Sequence, residues 1–341
     1  MRKVTIIFVF QIIGILCGAG EYLIIDLVKG GIEHLDNTPN DLLTTTDFKT
    51  KKLVMKRIPA GKFIMSAPEK EPGRSNPAYK LEVQHEVELT RGFYIGIFEV
   101  TQAQYEMVMG NNPSYFKKAG STAPVENVSW YMVRGGEWPN GVPAVDSFMG
   151  RLRSKTSMQF DLPTEAQWEY ACRSGTTTST YNGNMNGAFV GVITNKTKIN
   201  TSEGLQTLEE IAWFDHNSTV EYEGAVPLKP HKDSPPIPSG THPVGLKKPN
   251  QWGLYGMSGN VYEWCLDRRG QFNDKCVVDP TGAEYVSLNA EGKTDCRVAR
   301  GGCWFIMWGM CRSAARHVQF ADAIDDSSKG IGFRIVMNMQ E

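Results

Sequence analysis

The chain has 341 residues, with 36 Lys and Arg against 37 Asp and Glu, a formal net charge of −1. With a neutral balance and no basic block, nucleic acid is excluded as the main partner. Hydrophobic residues make up 41% and charged residues 21%, enough apolar material for a sizeable core in one large domain or two ordinary ones.

The N-terminus reads as a targeting segment. Arg2 and Lys3 precede an apolar run from Val4 to Leu16, and the small residues Gly18, Ala19 and Gly20 follow. That order matches a secretory signal peptide over residues 1–20, so the protein is expected to be exported to the periplasm or the cell exterior. The run is short for a spanning helix, which leaves an uncleaved anchor as the alternative. Acylation of Cys17 is disfavoured by the large Leu16 before it. Beyond the signal segment, no stretch is long and apolar enough to span a membrane.

Residues 21–52 read as an N-terminal extension and linker, with strand formers at 22–28 and a polar stretch at 37–50. Residues 53–341 read as one domain. Residues 53–58 and 62–65 suggest two strands around the turn Pro59-Ala-Gly61. The Pro-rich stretch 68–77 predicts an exposed loop, and 83–89 and 93–100 predict strands. Thr101 with Gln104 forms a capping-box pattern, so a helix should run to Met109. Ser129 is placed to cap a helix at Trp130. Apolar spacing predicts a helix over 144–154. Thr164 with Gln167 marks a second capping box, starting a helix over 165–173 that Gly175 ends. Residues 174–250 are polar, with order by pattern only at 205–214. The last strand is expected over 332–337.

Of seven cysteines, Cys17 lies in the leader. The even remainder in an exported chain permits disulfides. Cys276 and Cys296 flank a turn-rich loop and are the expected bridge, stabilising by about 3 kcal/mol in the chain-entropy model. Cys265 with Cys311 is the next choice. No Cys-x-x-Cys pair and no His pair at helical spacing occurs, which disfavours zinc. His317 is the one histidine placed near the motif core. No Gly-x-Ser-x-Gly elbow or phosphate-binding glycine loop is present.

Two linked stretches stand out. One is Gly253-Leu-Tyr-Gly-Met-Ser-Gly-Asn-Val-Tyr-Glu-Trp-Cys265; the other is Arg297-Val-Ala-Arg-Gly-Gly-Cys-Trp304, continuing to Cys311-Arg-Ser-Ala-Ala-Arg316 and Gly332-Phe-Arg334. With Phe98-Glu-Val-Thr-Gln-Ala-Gln-Tyr105, Pro124-Val-Glu-Asn-Val-Ser-Trp130 and Leu162-Pro-Thr-Glu-Ala-Gln-Trp168, they resemble, in family order, the formylglycine-generating enzyme family, also called sulfatase-modifying factors. The resemblance implies an α+β, C-type-lectin-like fold with short strands and helices and much irregular structure.

The resemblance also implies two sites. The family's oxidases hold copper(I) between two cysteines, and soft thiolates suit that ion. Counted from Gly302, the two places hold Ile306 and Cys311, while the family's active-site serine place holds Cys303. Cys303 and Cys311 are therefore the candidate catalytic pair, with a disulfide or plain packing as the alternative. Calcium is the second implied ion, through the main-chain oxygens of Gly259 and Val261 and the carboxylates of Glu263 and Glu99. Gly256 departs from that pattern, since the family commonly has Asn or Asp there. The alternative for Glu263 is a core salt bridge to Arg300 or Arg316. Cys172 matches a half-cystine of some relatives, but its partner place is Ile335, which leaves it a buried thiol. Asn260, Tyr262, Trp264, Arg300 and Trp304 either line a pocket or belong to the core.

Two functions follow from the resemblance. One is an exported binding or scaffolding module that lacks the complete copper site and engages a protein or peptide through residues 304–308. The other is a copper-dependent oxidase that converts a peptidyl cysteine of a sulfatase to formylglycine.

Overall fold

The computed structural model describes residues 20–185, 203–229, 235–282, 285–286, 296–320 and 326–339. Cys17 and all of the signal segment but Gly20 lie outside these residues. Among the described residues no helix is long and apolar enough to cross a membrane.

A six-stranded sheet forms the centre, in the order Ile32–Leu35, Tyr22–Asp26, Lys52–Ile58, Phe93–Gly96, Val336–Asn338 and Phe160–Asp161. Strand residues alternate between faces with a period of two, and both faces here are covered. Ile24, Val54, Ile95 and Val336 enter one core cluster, joined by Trp168, Ala171, Leu205 and Leu208. Leu23, Ile25, Met55 and Tyr94 enter the other, joined by Tyr105, Phe148, Met149 and Leu152. The sheet is thus sandwiched between two sets of helices, and the class is α+β. The expected domain boundary at residue 53 falls inside this sheet, because Tyr22–Asp26 pairs antiparallel with Lys52–Ile58 along its whole length. Residues 22–26, where strand formers were read, form a strand of this sheet.

Both capping boxes form. Thr101 Oγ1 accepts from Gln104 N at 3.2 Å while Gln104 Oε1 accepts from Thr101 N at 2.9 Å, starting the helix Gln102–Met109. Thr164 and Gln167 repeat the exchange at 3.1 and 3.0 Å for the helix Glu165–Arg173. The helix expected from residue 144 starts later, at Phe148. Ser147 is its cap, accepting from Gly150 N at 3.1 Å and donating to Ala144 O at 2.7 Å, so residues 144–146 become the entry turn.

A second sheet runs in the order Arg316–Phe320, Cys296–Arg300, Tyr262–Arg268 and Ile331–Gly332. The single strand expected over 332–337 is in fact two. Ile331–Gly332 pairs parallel with Tyr262–Arg268 in this sheet, whereas Val336–Asn338 enters the central one. Phe333, Arg334 and Ile335 carry the chain from one sheet to the other. The strands Gly61–Met65 and His85–Leu89 form a third sheet with Val277–Val278.

The expected disulfides are not formed. No disulfide joins the six described cysteines, and of these Cys276 is the exposed one. Cys276 leads into Val277–Val278 of the third sheet, and its Sγ lies 3.6 Å from Glu86 Oε1. Cys296 begins a strand of the second sheet, opposite Phe320. Separation into different sheets keeps the two apart despite their nearness in sequence. Cys265 and Cys311 are each buried as separate thiols. Cys172 is likewise a buried thiol, and burial pushes its pKa up to about 11.

Candidate functional site

The motif stretches meet where the second sheet faces the helix Glu165–Arg173. Gly259 N donates to Gly301 O at 2.8 Å, and a Cβ at Gly259 would collide with the Trp213 main chain. Asn260 adopts a left-handed φ of 65° and donates its N–H to Trp213 O at 2.7 Å. The strand Tyr262–Arg268 leaves this knot with its first six residues buried.

Glu263 is wholly buried and fully engaged. Arg334 donates to it through Nε and Nη2, each at 2.6 Å, and Trp168 Nε1 donates at 2.7 Å. Arg334 Nη1 reaches Gly96 O at 2.9 Å, and its Nη2 reaches Tyr255 O at 2.9 Å. This arginine thereby ties the two sheets together. The salt-bridge reading of Glu263 named Arg300 or Arg316; the partner is Arg334. Arg300 instead meets Glu169 and Glu165, and Arg316 grips Glu165 at 2.6 and 2.7 Å. Burial pushes the Glu169 carboxyl up, but Arg173 and Arg300 outweigh it and leave it below its usual range.

Glu99 sits beside this pair. Its Oε1 accepts from Asn260 Nδ2 at 3.1 Å, and its buried Oε2 has no hydrogen-bond partner. Burial pushes its pKa up to about 7, with Arg334 pulling it down and Glu263 pushing it up. A Cβ at Gly256 would collide with this carboxylate. The arrangement does not suit calcium at the implied set. Both Glu263 oxygens are taken by Arg334 and Trp168, and position 256 has neither a side-chain oxygen nor room for one. Gly259 and Val261 are buried, and their place is set by packing and main-chain bonds.

Cys303 and Cys311 lie near enough to interact electrostatically, though they pack in different core clusters. Gly302 packs against Cys311 Sγ and Gly330 against Cys303 Sγ, where added Cβ atoms would approach to 2.7 and 2.9 Å. Both thiols are buried, and burial pushes both pKa values up; Cys303 and Asp215 push Cys311 further. The Tyr262 hydroxyl feels both thiols electrostatically and is buried without a hydrogen-bond partner among the described residues. Its ring stacks on His317 with centroids 4.4 Å apart. Burial also raises Asp215 to about 7. Two soft donors are present, but each is packed in the core, and burial favours their protonated forms. The position the resemblance assigns to the other copper thiolate is Ile306. The family's copper site is therefore not reproduced by these residues.

Trp304 is buried, edge-on to Phe116 at 5.1 Å, with Nε1 donating to Lys329 O at 3.0 Å. Trp264 and Arg300 are core residues as well. Of the stretch expected to face a ligand, Met307 is the exposed side chain, at 60%.

The model of the sulfatase-modifying factor enzyme 1-like domain matches residues 43–339. The chain belongs to this family. Relatives are similar over less than their whole length. The chaperone protein LppX of Paenibacillus barcinonensis is 32% identical over 199 residues, covering 51% of this chain and 62% of that protein. The formylglycine-generating enzyme of Streptomyces coelicolor is 29% identical, covering 51% of this chain and 45% of its own length. The mouse enzyme is 26% identical over 318 residues, covering 81% and 73%. Thus the chain spans less than two thirds of the length of the first two of these relatives. Among solved structures, Treponema denticola variable protein 1 superposes with a TM-score of 0.59 at 25% identity, over 84% of this chain and 96% of that one. PvdO from Pseudomonas aeruginosa gives 0.54 at 22% identity over 84% and 94%, a likeness of fold alone. The fold is that of the formylglycine-generating enzyme family.

Sequence reasoning missed Asp215, which no motif flags. It also missed the stack of His242 on Trp213, with centroids 3.7 Å apart, and Lys247 over the same indole at 3.7 Å. Burial lowers the His242 pKa to about 4, so this ring is neutral. The run at 205–214 was readable as ordered, but nothing in it signals that Trp213 meets the distant residues 242 and 247.

Proposed function

We propose that this member of the family is an exported binding or scaffolding module for a protein or peptide, not an oxidase. The observation that carries this reading is the burial of both candidate thiols. A copper(I) dithiolate needs two thiolates that a substrate can reach. Cys303 and Cys311 are 0% exposed, burial favours their protonated forms, and Ile306 occupies the remaining family place. The name of the relative LppX, a chaperone protein, supports a protein partner over a small molecule. The signal-like N-terminus supports export.

The oxidase reading keeps one specific support: the two thiols and the Tyr262 hydroxyl, unpartnered among the described residues, are near enough to interact electrostatically. Anaerobic copper(I) titration against a chromogenic chelator separates the two. The binding-module reading expects no stoichiometric capture, and no aldehyde on a cysteine-containing sulfatase peptide incubated with the loaded protein and oxygen. Capture of one equivalent that is lost in Cys311→Ser, together with aldehyde formation, would overturn it.

A further inference from the structure

Gly20 already belongs to the fold. It is buried, and its main-chain oxygen accepts from the Tyr94 hydroxyl at 2.6 Å. Tyr94 stands in the strand Phe93–Gly96 and is 1% exposed, so loss of this acceptor would leave its hydroxyl buried and unsatisfied. A Cβ at residue 20 would lie 2.8 Å from Leu35 O and 3.1 Å from Leu35 N, both main-chain atoms of the strand Ile32–Leu35. The place therefore takes glycine and nothing larger. The next residues continue the anchorage. Glu21 O accepts from Arg57 N at 2.9 Å, and the Glu21 carboxylate meets Lys56 and Arg57. Tyr22 pairs with Leu35 on one side and with Lys56 on the other.

A leader is cut after a small residue that has another small residue two places before it. Cutting after Gly18 would put the large Leu16 at the outer place. Cutting after Ala19 uses Cys17 and Ala19; cutting after Gly20 uses Gly18 and Gly20. By size alone the last two are equal, and the fold separates them. A cut after Gly20 would discard the acceptor of Tyr94 and empty the space beside Leu35. A cut after Ala19 keeps both contacts.

We propose that the leader is removed by hydrolysis of the Ala19–Gly20 peptide bond, by a peptidase that reads the small residues Cys17 and Ala19, so that Gly20 is the mature N-terminus. Water adds across the bond: its hydroxyl goes to the Ala19 carbonyl, giving an acid, and its remaining proton to the Gly20 nitrogen, giving an amine. The mature chain thus starts one residue earlier than the leader pattern over residues 1–20 suggests. A peptidase needs the chain on both sides of the cut within reach, and Gly20 is buried once Tyr22–Asp26 has paired with both of its neighbours. The cut therefore precedes that pairing. The proposal rests on the export reading and adds to it the bond that is broken.

The test is N-terminal sequencing and intact mass of the exported form of the full chain, with Ala19→Leu beside it. The wild type should give one species beginning at Gly20. Ala19→Leu should lose that species, because a large side chain then adjoins the cut. A wild type beginning at Glu21, or Ala19→Leu processed as the wild type is, would overturn the proposal and leave export standing. A start at Cys17, as acylation there requires, would overturn it too. An intact Met1 in the membrane fraction would overturn the cleaved leader altogether. The structural reason has its own readout. Chains released from a fusion to begin at Gly20 or at Glu21 should differ by about 2–6 °C in melting temperature, the longer one melting higher. Tyr94→Phe should lower the longer chain alone. Equal melting of the two, or an equal loss from Tyr94→Phe in both, would overturn the role given to Gly20.

Discussion

Replacing Glu263 with Gln isolates what the buried carboxylate does. In the structure it neutralises Arg334, which is 0% exposed and reaches both sheets. Breaking a buried ion pair from one side costs about 3–5 kcal/mol, because the surviving charge stays in a medium that solvates it poorly. At about 2 °C per kcal/mol for a domain of this size, the melting temperature should fall by about 6–10 °C. The double variant Glu263→Gln with Arg334→Met should recover much of that loss, since the stranded cation has gone. Thermal unfolding followed by circular dichroism, with calcium and with EDTA, measures both effects. If the carboxylate serves the arginine, EDTA leaves the wild-type transition where it was. A calcium ligand behaves differently: an ion bound only by the native state raises the transition in proportion to its occupancy. An EDTA-sensitive wild type whose sensitivity vanishes in Glu263→Gln, with no rescue by Arg334→Met, would refute the ion-pair account.

Three further outcomes are expected. Ellman's reagent on the mature, native chain should label Cys276 alone and reach the other cysteines only in denaturant; two thiols missing in denaturant would reveal a disulfide. Stability should fall with rising pH, because burial holds the Glu126 carboxyl at about 8 against 4.5 unfolded, so the unfolded chain sheds its proton first. The fall belongs between those two values, by up to about 1.4 kcal/mol per pH unit for this group, and Glu126→Gln should flatten it. A wild-type stability that climbs through that window would contradict the assignment. N-terminal sequencing of the exported form should begin near Glu21, whereas an intact Met1 in the membrane fraction would favour the uncleaved anchor.

Local chemistry was the most legible part of the sequence. Thr101 with Gln104, and Thr164 with Gln167, announce helix starts because a capping box is a contact between neighbours in the chain. The family motifs carried the fold as an ordered set. Long-range pairing was not legible in the same way. Glu263 faces a choice among several buried arginines, and nothing local distinguishes Arg300 from Arg334. Cys276 and Cys296 looked like a bridge because they flank a turn-rich loop, yet that says nothing about which sheet each one joins. The strand at 22–26 read as an extension because a motif-based boundary ignores a strand whose register with Lys52–Ile58 is set by burial on both faces.

The crossing at Phe333, Arg334 and Ile335 also bears on how the molecule is made. Val336–Asn338 lies between Phe93–Gly96 and Phe160–Asp161, so the central sheet has a gap until that late segment arrives. Its sheet neighbours are far away in sequence, and such non-local pairings form slowly. The emerging polypeptide therefore cannot lock into its native state early. It remains open along one seam until residues 336–338 have arrived. Deleting the residues after Gly332 should accordingly cause a failure to close, not the trimming of a tail.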